Sequence, residues 1–521
     1  MSRGFLRSTS LVGAMTLISR VTGLVRDMVY SQAFGAGTLM DAFLVAFKIP
    51  NFLRRLTAEG AFSQAFVPVI SEYRVQRSPE DVRVLVAGVS GTLGVALFIV
   101  TVIGVLAAPV LIYLFAPGFR HDGGRFDMAV EMLRFTFPYL LFISLTALGS
   151  GVLNSYGRFA VPAFNSTLMN LVMILFAVVI APYFGNPGLV LAIGVFVSGL
   201  AQLFAQYPAL ARLGLLVRPR WAWHHEGVRR IGRLMLPGIF GSSVAQVSLL
   251  LDTVIASFLA TGSIAWMYYA DRLVEFPMGV FAIALGTVIL PGLSAQHAAK
   301  SVASFQATLD WALRLTFVIA LPAAVGLFAL AGPLTATIFG YGEFNARDVQ
   351  MSSYALMAYA FGLLGFSLVK VLAPGYFARQ DTKTPVKVGM ISLGANMAFN
   401  VAVVVPVHLA GFVAPHALLA LSTGLSAILN STLLYRGLRR AGVYAPSRRW
   451  RRLWPQLVVA NAALAAFLWF AAGNWAGWSS VAPLARILHL SGCVAGGVVL
   501  YFGVLWLTGL RYRDLRVAPP P

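Results

Sequence analysis

Residues 84–116 read "VLVAGVSGTLGVALFIVTVIGVLAAPVLIYLFA", without a single charge. A helix needs about 20 mostly apolar residues to cross a bilayer core, and a surface helix of a soluble protein keeps one polar face. The run has none, so its solvent is lipid. Its end carries a second message. "LAAPVLIYLFAPG" at 106–118 returns as "LAGPLTATIFGYG" at 330–342, with Leu106, Ala107, Pro109, Phe115 and Gly118 recurring 224 positions later as Leu330, Ala331, Pro333, Phe339 and Gly342. Pro68, Ser71, Ser144 and Pro162 recur at an offset of 223 as Pro291, Ser294, Ser367 and Pro385. A fixed offset with proline and glycine in register marks a duplicated unit.

The composition extends the reading to the whole chain. Of 521 residues, 59% are apolar and 11% charged, against roughly 25% charged in soluble domains. Fourteen segments qualify as spans: 9–33, 39–58, 84–116, 129–153, 161–184, 188–210, 233–259, 266–293, 308–339, 350–377, 387–407, 411–434, 455–473 and 484–509. The expected fold is therefore an all-α polytopic membrane protein with 14 transmembrane helices. Equivalent positions of the repeat lie six spans apart, which keeps their orientation. Two six-helix lobes in parallel repeat follow, at 1–215 and 216–440, with two extra helices at 441–521. Transporters use such repeats around a substrate cavity. Arg3 and Arg7 before the apolar stretch 11–18 resemble a signal peptide, but Arg20 and Arg26 interrupt it, so retention is expected.

Basic residues set the orientation. Of 39, 26 fall in loops on the side of the N-terminus, and only Arg120, Arg125 and Arg347 fall opposite. This places both termini in the cytoplasm. The net charge of +21 is thereby accounted for without nucleic acid. Trp221, Trp223, Trp450, Trp454, Trp475 and Trp478 fall at predicted interfaces, as an aromatic belt does. The lone Cys493 excludes an intrachain disulfide and any cysteine metal cluster.

The other ten basic residues lie within spans, where a charge is costly and faces an interior or water. Arg134, Arg314 and Arg486 sit near span ends, as snorkelling side chains do. The rest cluster. Span 1 carries Arg20, Arg26 and Asp27; span 2 carries Asp41, Lys48, Arg54, Arg55 and Glu59, with Asn51 among them. Span 8 carries Asp271, Arg272 and Glu275. Arg20 and Asp27 share a helix face, as do Asp41 and Lys48. Internal ion pairs gluing the lobes would satisfy the charge balance. The dominance of arginine favours a phosphate-bearing ligand instead, because its planar fork binds phosphate in two places. Asp252, Asn396 and Asn400 offer oxygen ligands to a small hard cation, or else interhelical hydrogen bonds. "GVSGTLG" at 88–94 is a small-residue stripe for close helix packing. No "GK" occurs, so no P-loop supplies ATP hydrolysis, and energy must come from an ion gradient such as Na+, the membrane potential or the substrate's own flow.

Four runs carry a resemblance: "SRVTGLVRD" (19–27), "DAFLVAFKIPNFLRRLTAEGAFSQAFVP" (41–68), "WMYYADRLVEFPMGVFAIALGTVILP" (266–291) and "KVLAPGYFARQDTKTPVK" (370–387). The chain resembles the MurJ (MviN) family of bacterial lipid II flippases, within the multidrug/oligosaccharidyl-lipid/polysaccharide exporter superfamily, over nearly its whole length. That resemblance implies a V-shaped pair of lobes, a central cationic cavity, and a groove between spans 13 and 14 for a polyprenyl tail. It implies functional roles for Arg20, Arg26, Asp41, Arg54, Arg272 and Glu275, and loosely a sodium site at Asp252, Asn396 and Asn400. The implied substrate is lipid II, an undecaprenyl-pyrophosphate-linked disaccharide pentapeptide, and the implied home is the inner membrane. Other implied partners are membrane lipids and proteins of cell-wall synthesis and division. The rivals are a flippase for another polyprenyl-linked oligosaccharide, a multidrug exporter, a membrane transferase and a non-transporting scaffold. A drug exporter favours cavity acids over arginines, and a transferase needs a carboxylate pair that is not apparent.

Overall fold

The segments expected to span the bilayer are helical, because a chain without water to satisfy its peptide groups must bond them internally. The computed structural model describes residues 3–56, 62–121, 124–511 and 514, without the side chains of 3–12, 236–249, 280–288 and 476. Glu59 lies outside the described residues. By contact density the chain divides into two compact units, Met1–Ile264 and Ala265–Pro521.

The first unit runs α1 (Arg3–Phe34), α2 (Thr38–Arg54), α3 (Ser63–Gln76), α4 (Pro79–Leu106), α5 (Ala108–Phe115), α6 (Arg125–Thr136), α7 (Tyr139–Ser155), α8 (Ala160–Leu175), α9 (Pro187–Arg212) and α10 (Glu226–Ala256). The second runs α11 (Ser263–Ala298), α12 (Val302–Ala329), α13 (Ala331–Ile338), α14 (Ala346–Phe377), α15 (Lys383–Phe399), α16 (Val405–Leu409), α17 (Pro415–Arg440), α18 (Arg449–Ala472) and α19 (Pro483–Leu507). No strand occurs among the described residues. Ten helical segments there are long and apolar enough to cross a membrane, so the chain is a multi-pass membrane protein. The other four expected spans lie on α1, α2, α10 and α11.

Two features of the element order occur twice. The 28-residue helices α4 and α12 each break at one residue, Ala107 and Leu330, before an eight-residue helix carrying the matched proline. Further on, α8 and α15 each end in a five-residue π-helical segment, Phe176–Ile180 and Asn400–Val404. These segments stand 224 positions apart, and the breaks 223. Single π-helical insertions are rare and are found mostly where function requires them.

Each unit has its own core. Phe62, Phe66, Ile70, Leu85 and Val152 anchor the first, joining α3, α4 and α7. Leu309, Leu313, Leu372, Tyr376 and Leu438 anchor the second, joining α12, α14 and α17. In the second unit α14 and α17 meet backbone to backbone: a Cβ on Gly362 would stand 2.3 Å from the Gly424 Cα. Small residues permit such approach where lipid supplies no hydrophobic drive.

The 88–94 stripe serves another partner than the helix expected of it. Gly91 admits the extended 217–222 segment, where a Cβ would lie 2.2 Å from the Arg220 carbonyl oxygen. The Arg220 amide donates to Ala87 O at 2.9 Å, and the Ala222 amide donates to Thr92 Oγ1 at 3.1 Å.

Candidate functional site

The predicted residues fall into separate groups in the two units. On α1, Arg26 and Asp27 are 7% and 1% exposed. Nε and Nη2 of Arg26 donate to Asp27 Oδ1 at 3.0 and 2.7 Å, so Asp27 pairs with its neighbour. Arg26 Nη1 donates to Asn170 Oδ1 on α8 at 3.1 Å, and its guanidinium lies 5.5 Å from the centre of the Tyr30 ring. Arg20 is half-buried on the same helix.

On α2, Lys48 Nζ donates to Thr253 Oγ1 of α10 at 2.5 Å, beside the buried Asp252. Arg54 Nε donates to Asn51 Oδ1 at 2.8 Å, whereas Arg55 is exposed. Asp41 is fully buried. It accepts from Arg125 Nη1 at 3.4 Å and from the Gly262 amide at 2.7 Å. Asp41 and Lys48 thus aim at α10 and the turn after it, in keeping with their shared face.

In the second unit, Arg272 Nη1 donates to Glu275 Oε2 at 2.7 Å. Its Nη2 donates to Tyr268 Oη at 3.3 Å, and its guanidinium sits 4.9 Å from that ring's centre. Asp271 is exposed on the same turn. Asn396 and Asn400 are buried on one face, and Asn400 Nδ2 donates to Asn396 Oδ1 at 2.8 Å. That bond engages an oxygen a cation would need, and it leaves the buried Asn396 Nδ2, a donor, without a partner. Among the described residues, no group of three or more His, Cys, Asp or Glu could hold a metal.

Several basic residues serve other ends than expected. Arg125, assigned to an outer loop, is the buried partner of Asp41 and covers the Phe119 ring at 4.7 Å. Arg314 and Arg486 do not snorkel: both are buried. Arg486 Nη1 donates to Ala336 O and Gly340 O at 2.9 and 3.3 Å, capping the end of α13. Arg314 Nε donates to Asp310 Oδ2 at 2.9 Å. Asp310 also accepts from Tyr444 Oη, Ser447 Oγ and Trp450 Nε1 at 2.8, 2.8 and 2.7 Å, which pins the start of α18 to α12.

Outside the spans, Arg230 on α10 donates to Glu72 Oε1 on α3 at 2.9 Å. That hydrogen bond, reinforced by the Arg230 charge, holds the Glu72 carboxyl below the usual range. Sequence reading missed Asn170, Thr253 and Tyr268, all neutral. Only an amide at mid-span in "NSTLMN" hinted at the first.

Charged side chains held inside the helices of a multi-pass membrane protein are a feature of transporters. The family model for "Lipid II flippase MurJ" matches residues 30–489. A Vibrio cholerae protein named probable lipid II flippase MurJ is 46% identical over 99% of this chain and 98% of its own length. The lipid II flippase MurJ of Burkholderia cenocepacia is 45% identical over 98% of each chain. A solved structure of lipid II flippase MurJ in an inward closed conformation superposes with a TM-score of 0.78 at 24% identity, covering 97% of this chain and 99% of that one. An inward-facing multidrug MATE transporter of the MOP superfamily shares the fold at a TM-score of 0.66 and 14% identity, over 84% of this chain and 98% of its own. The chain belongs to the lipid II flippase MurJ family.

Proposed function

We propose that this chain flips lipid II from the cytoplasmic to the periplasmic leaflet of the bacterial inner membrane, by alternating access. Lipid II has a pyrophosphate, a sugar–peptide head and a long polyprenyl tail. Its head cannot cross hydrocarbon unaided, because buried polar groups without partners cost several kcal/mol each. A cationic central cavity would lend the head those partners. Arg20, Arg26, Arg54 and Arg272 are its phosphate donors, with Lys48 and Arg55 adding positive charge. Asp27, Asn51, Asp271 and Glu275 orient and balance them. The apolar α18–α19 surface takes the tail. Fourteen spans, two lobes with their boundary at 215/216 and both termini in the cytoplasm belong to the same reading. An ion gradient or the membrane potential powers the cycle.

One observation carries it: Arg26, inside a span, is held by Asp27 and Asn170 so that the orientation of its fork is fixed. Depletion with complementation tests it. Arg20→Ala, Arg26→Ala and Arg272→Ala variants should insert normally yet fail to restore lipid II to the outer leaflet. Full restoration by all three would refute the assignment.

A further inference from the structure

Asn170 lies on α8, 144 positions from Arg26, and is 6% exposed. Its side chain engages α1 three times. Oδ1 accepts from Arg26 Nη1 at 3.1 Å. Nδ2 donates to the Ser19 carbonyl oxygen at 3.1 Å and to Thr22 Oγ1 at 3.2 Å. A Cβ on Gly23 would meet Asn170 Nδ2 at 3.4 Å, so α8 and α1 sit in close register here.

The bond pattern fixes the amide. The Ser19 carbonyl can only accept, so the atom facing it is the NH₂ group, and the oxygen must face the guanidinium. A flipped amide would set donor against donor at Arg26. The bonds to Ser19 and Thr22 therefore hold the oxygen where Arg26 Nη1 needs it.

Asp27 and Asn170 also divide the work by charge. Asp27 takes Nε and Nη2 and neutralises one positive charge. Asn170 takes Nη1 and adds none. A second carboxylate there would leave Arg26 and its two partners net negative together, and so less fit for an anion. A residue without an acceptor would leave one arm of the fork unfixed, and a bidentate contact depends on the fork's plane.

We propose that Asn170 is a positioning residue for substrate: it orients Arg26 toward the pyrophosphate without cancelling its charge. This rests on the reading of Arg26 as a phosphate donor. The choice of Asn over Asp at this position then sets the preference for an anionic ligand.

The test uses the full-length protein in nanodiscs, with undecaprenyl pyrophosphate as the probe. Its Kd is measured for the wild type, Asn170→Ala, Arg26→Ala and the double variant. Asn170→Ala should weaken binding about tenfold, the order expected from one lost charge-assisted hydrogen bond, and should add nothing further in the Arg26→Ala background. An equal loss in both backgrounds, or no loss in the first, overturns the proposal. Asn170→Asp covers the case in which the alanine variant does not fold. It keeps size and an acceptor, and should weaken binding with a shallower salt dependence, because the added carboxylate offsets the charge that attracts the probe; unchanged binding overturns the proposal.

Hydrogen exchange at the Arg26 Nη1 protons, which Asn170 holds, followed by nitrogen-labelled NMR, reads positioning without ligand. It should quicken in Asn170→Ala; an unchanged rate refutes positioning. If Arg26→Ala binds the probe as the wild type does while that exchange still quickens, the phosphate reading fails and the positioning contact stands.

Discussion

The buried Asp41–Arg125 pair gives the sharpest energetic prediction. Asp41 has no exposed surface, and the Arg125 side chain is 5% exposed. The two meet at 3.4 Å, and the Gly262 amide adds a second donor to Asp41 at 2.7 Å. Removing one member of a buried pair strands the other charge, at about 3–5 kcal/mol. Asp41→Ala should cost about that much in equilibrium unfolding of the purified protein. Asp41→Asn keeps an acceptor for Gly262 while losing the charge, so it should cost less, about 1.5–3 kcal/mol. Combining Asp41→Asn with Arg125→Met removes both charges, and most of the loss should return, because apolar replacement of a whole buried pair is often neutral. The double-mutant cycle measures this coupling directly. An Asp41→Ala cost below about 1 kcal/mol, or strict additivity in the cycle, would refute the pairing. Transport by the double variant then says whether Asp41 also serves substrate, as its place in the family motif implies.

Three further outcomes are expected. Gly91→Val drives a side chain into the Arg220 backbone, so it should reduce stability and yield, whereas Gly94→Ala, with open space beside it, should be silent; thermal melts separate them. The Glu72 carboxyl titrates below its ordinary value of about 4.5 because Arg230 bonds to it. Its stabilising effect is therefore present above that ordinary value and fades as pH falls through the lower folded one; in Arg230→Gln the NMR titration midpoint should rise toward the ordinary range. Asp310→Ala removes the carboxylate partner of Arg314 and frees Tyr444, Ser447 and Trp450 from it, so backbone amides across 444–456 should exchange several-fold faster while those of α14 stay protected.

The repeat was legible because helix-breaking residues leave marks independent of context. Pro109 and Pro333 sit just past breaks that recur in both halves. The candidate arginines were legible because a charge inside an apolar run is conspicuous. What sequence could not supply was pairing. Loop counting put Arg125 outside, since a helix start and a loop read alike when only charge is tallied. Asp27 looked matched to Arg20 by helical spacing, yet adjacent Arg26 curls back to it. Arg314 and Arg486 passed for snorkelling ends because their acceptors are a carboxylate one turn away and the backbone carbonyls of α13. Asn170 was missed for a simpler reason: a neutral amide in an apolar helix hints at a partner without naming it until the helix beside it is known.

The most direct test of the account is flipping by the purified chain itself. Proteoliposomes carrying labelled lipid II are treated with an external enzyme that cuts only exposed head groups. The wild type should render inner-leaflet lipid II cleavable, and Arg26→Ala, inserted to the same density, should not. Equal cleavage with and without the Arg26 guanidinium, or none with the wild type under an imposed potential or ion gradient, would contradict it.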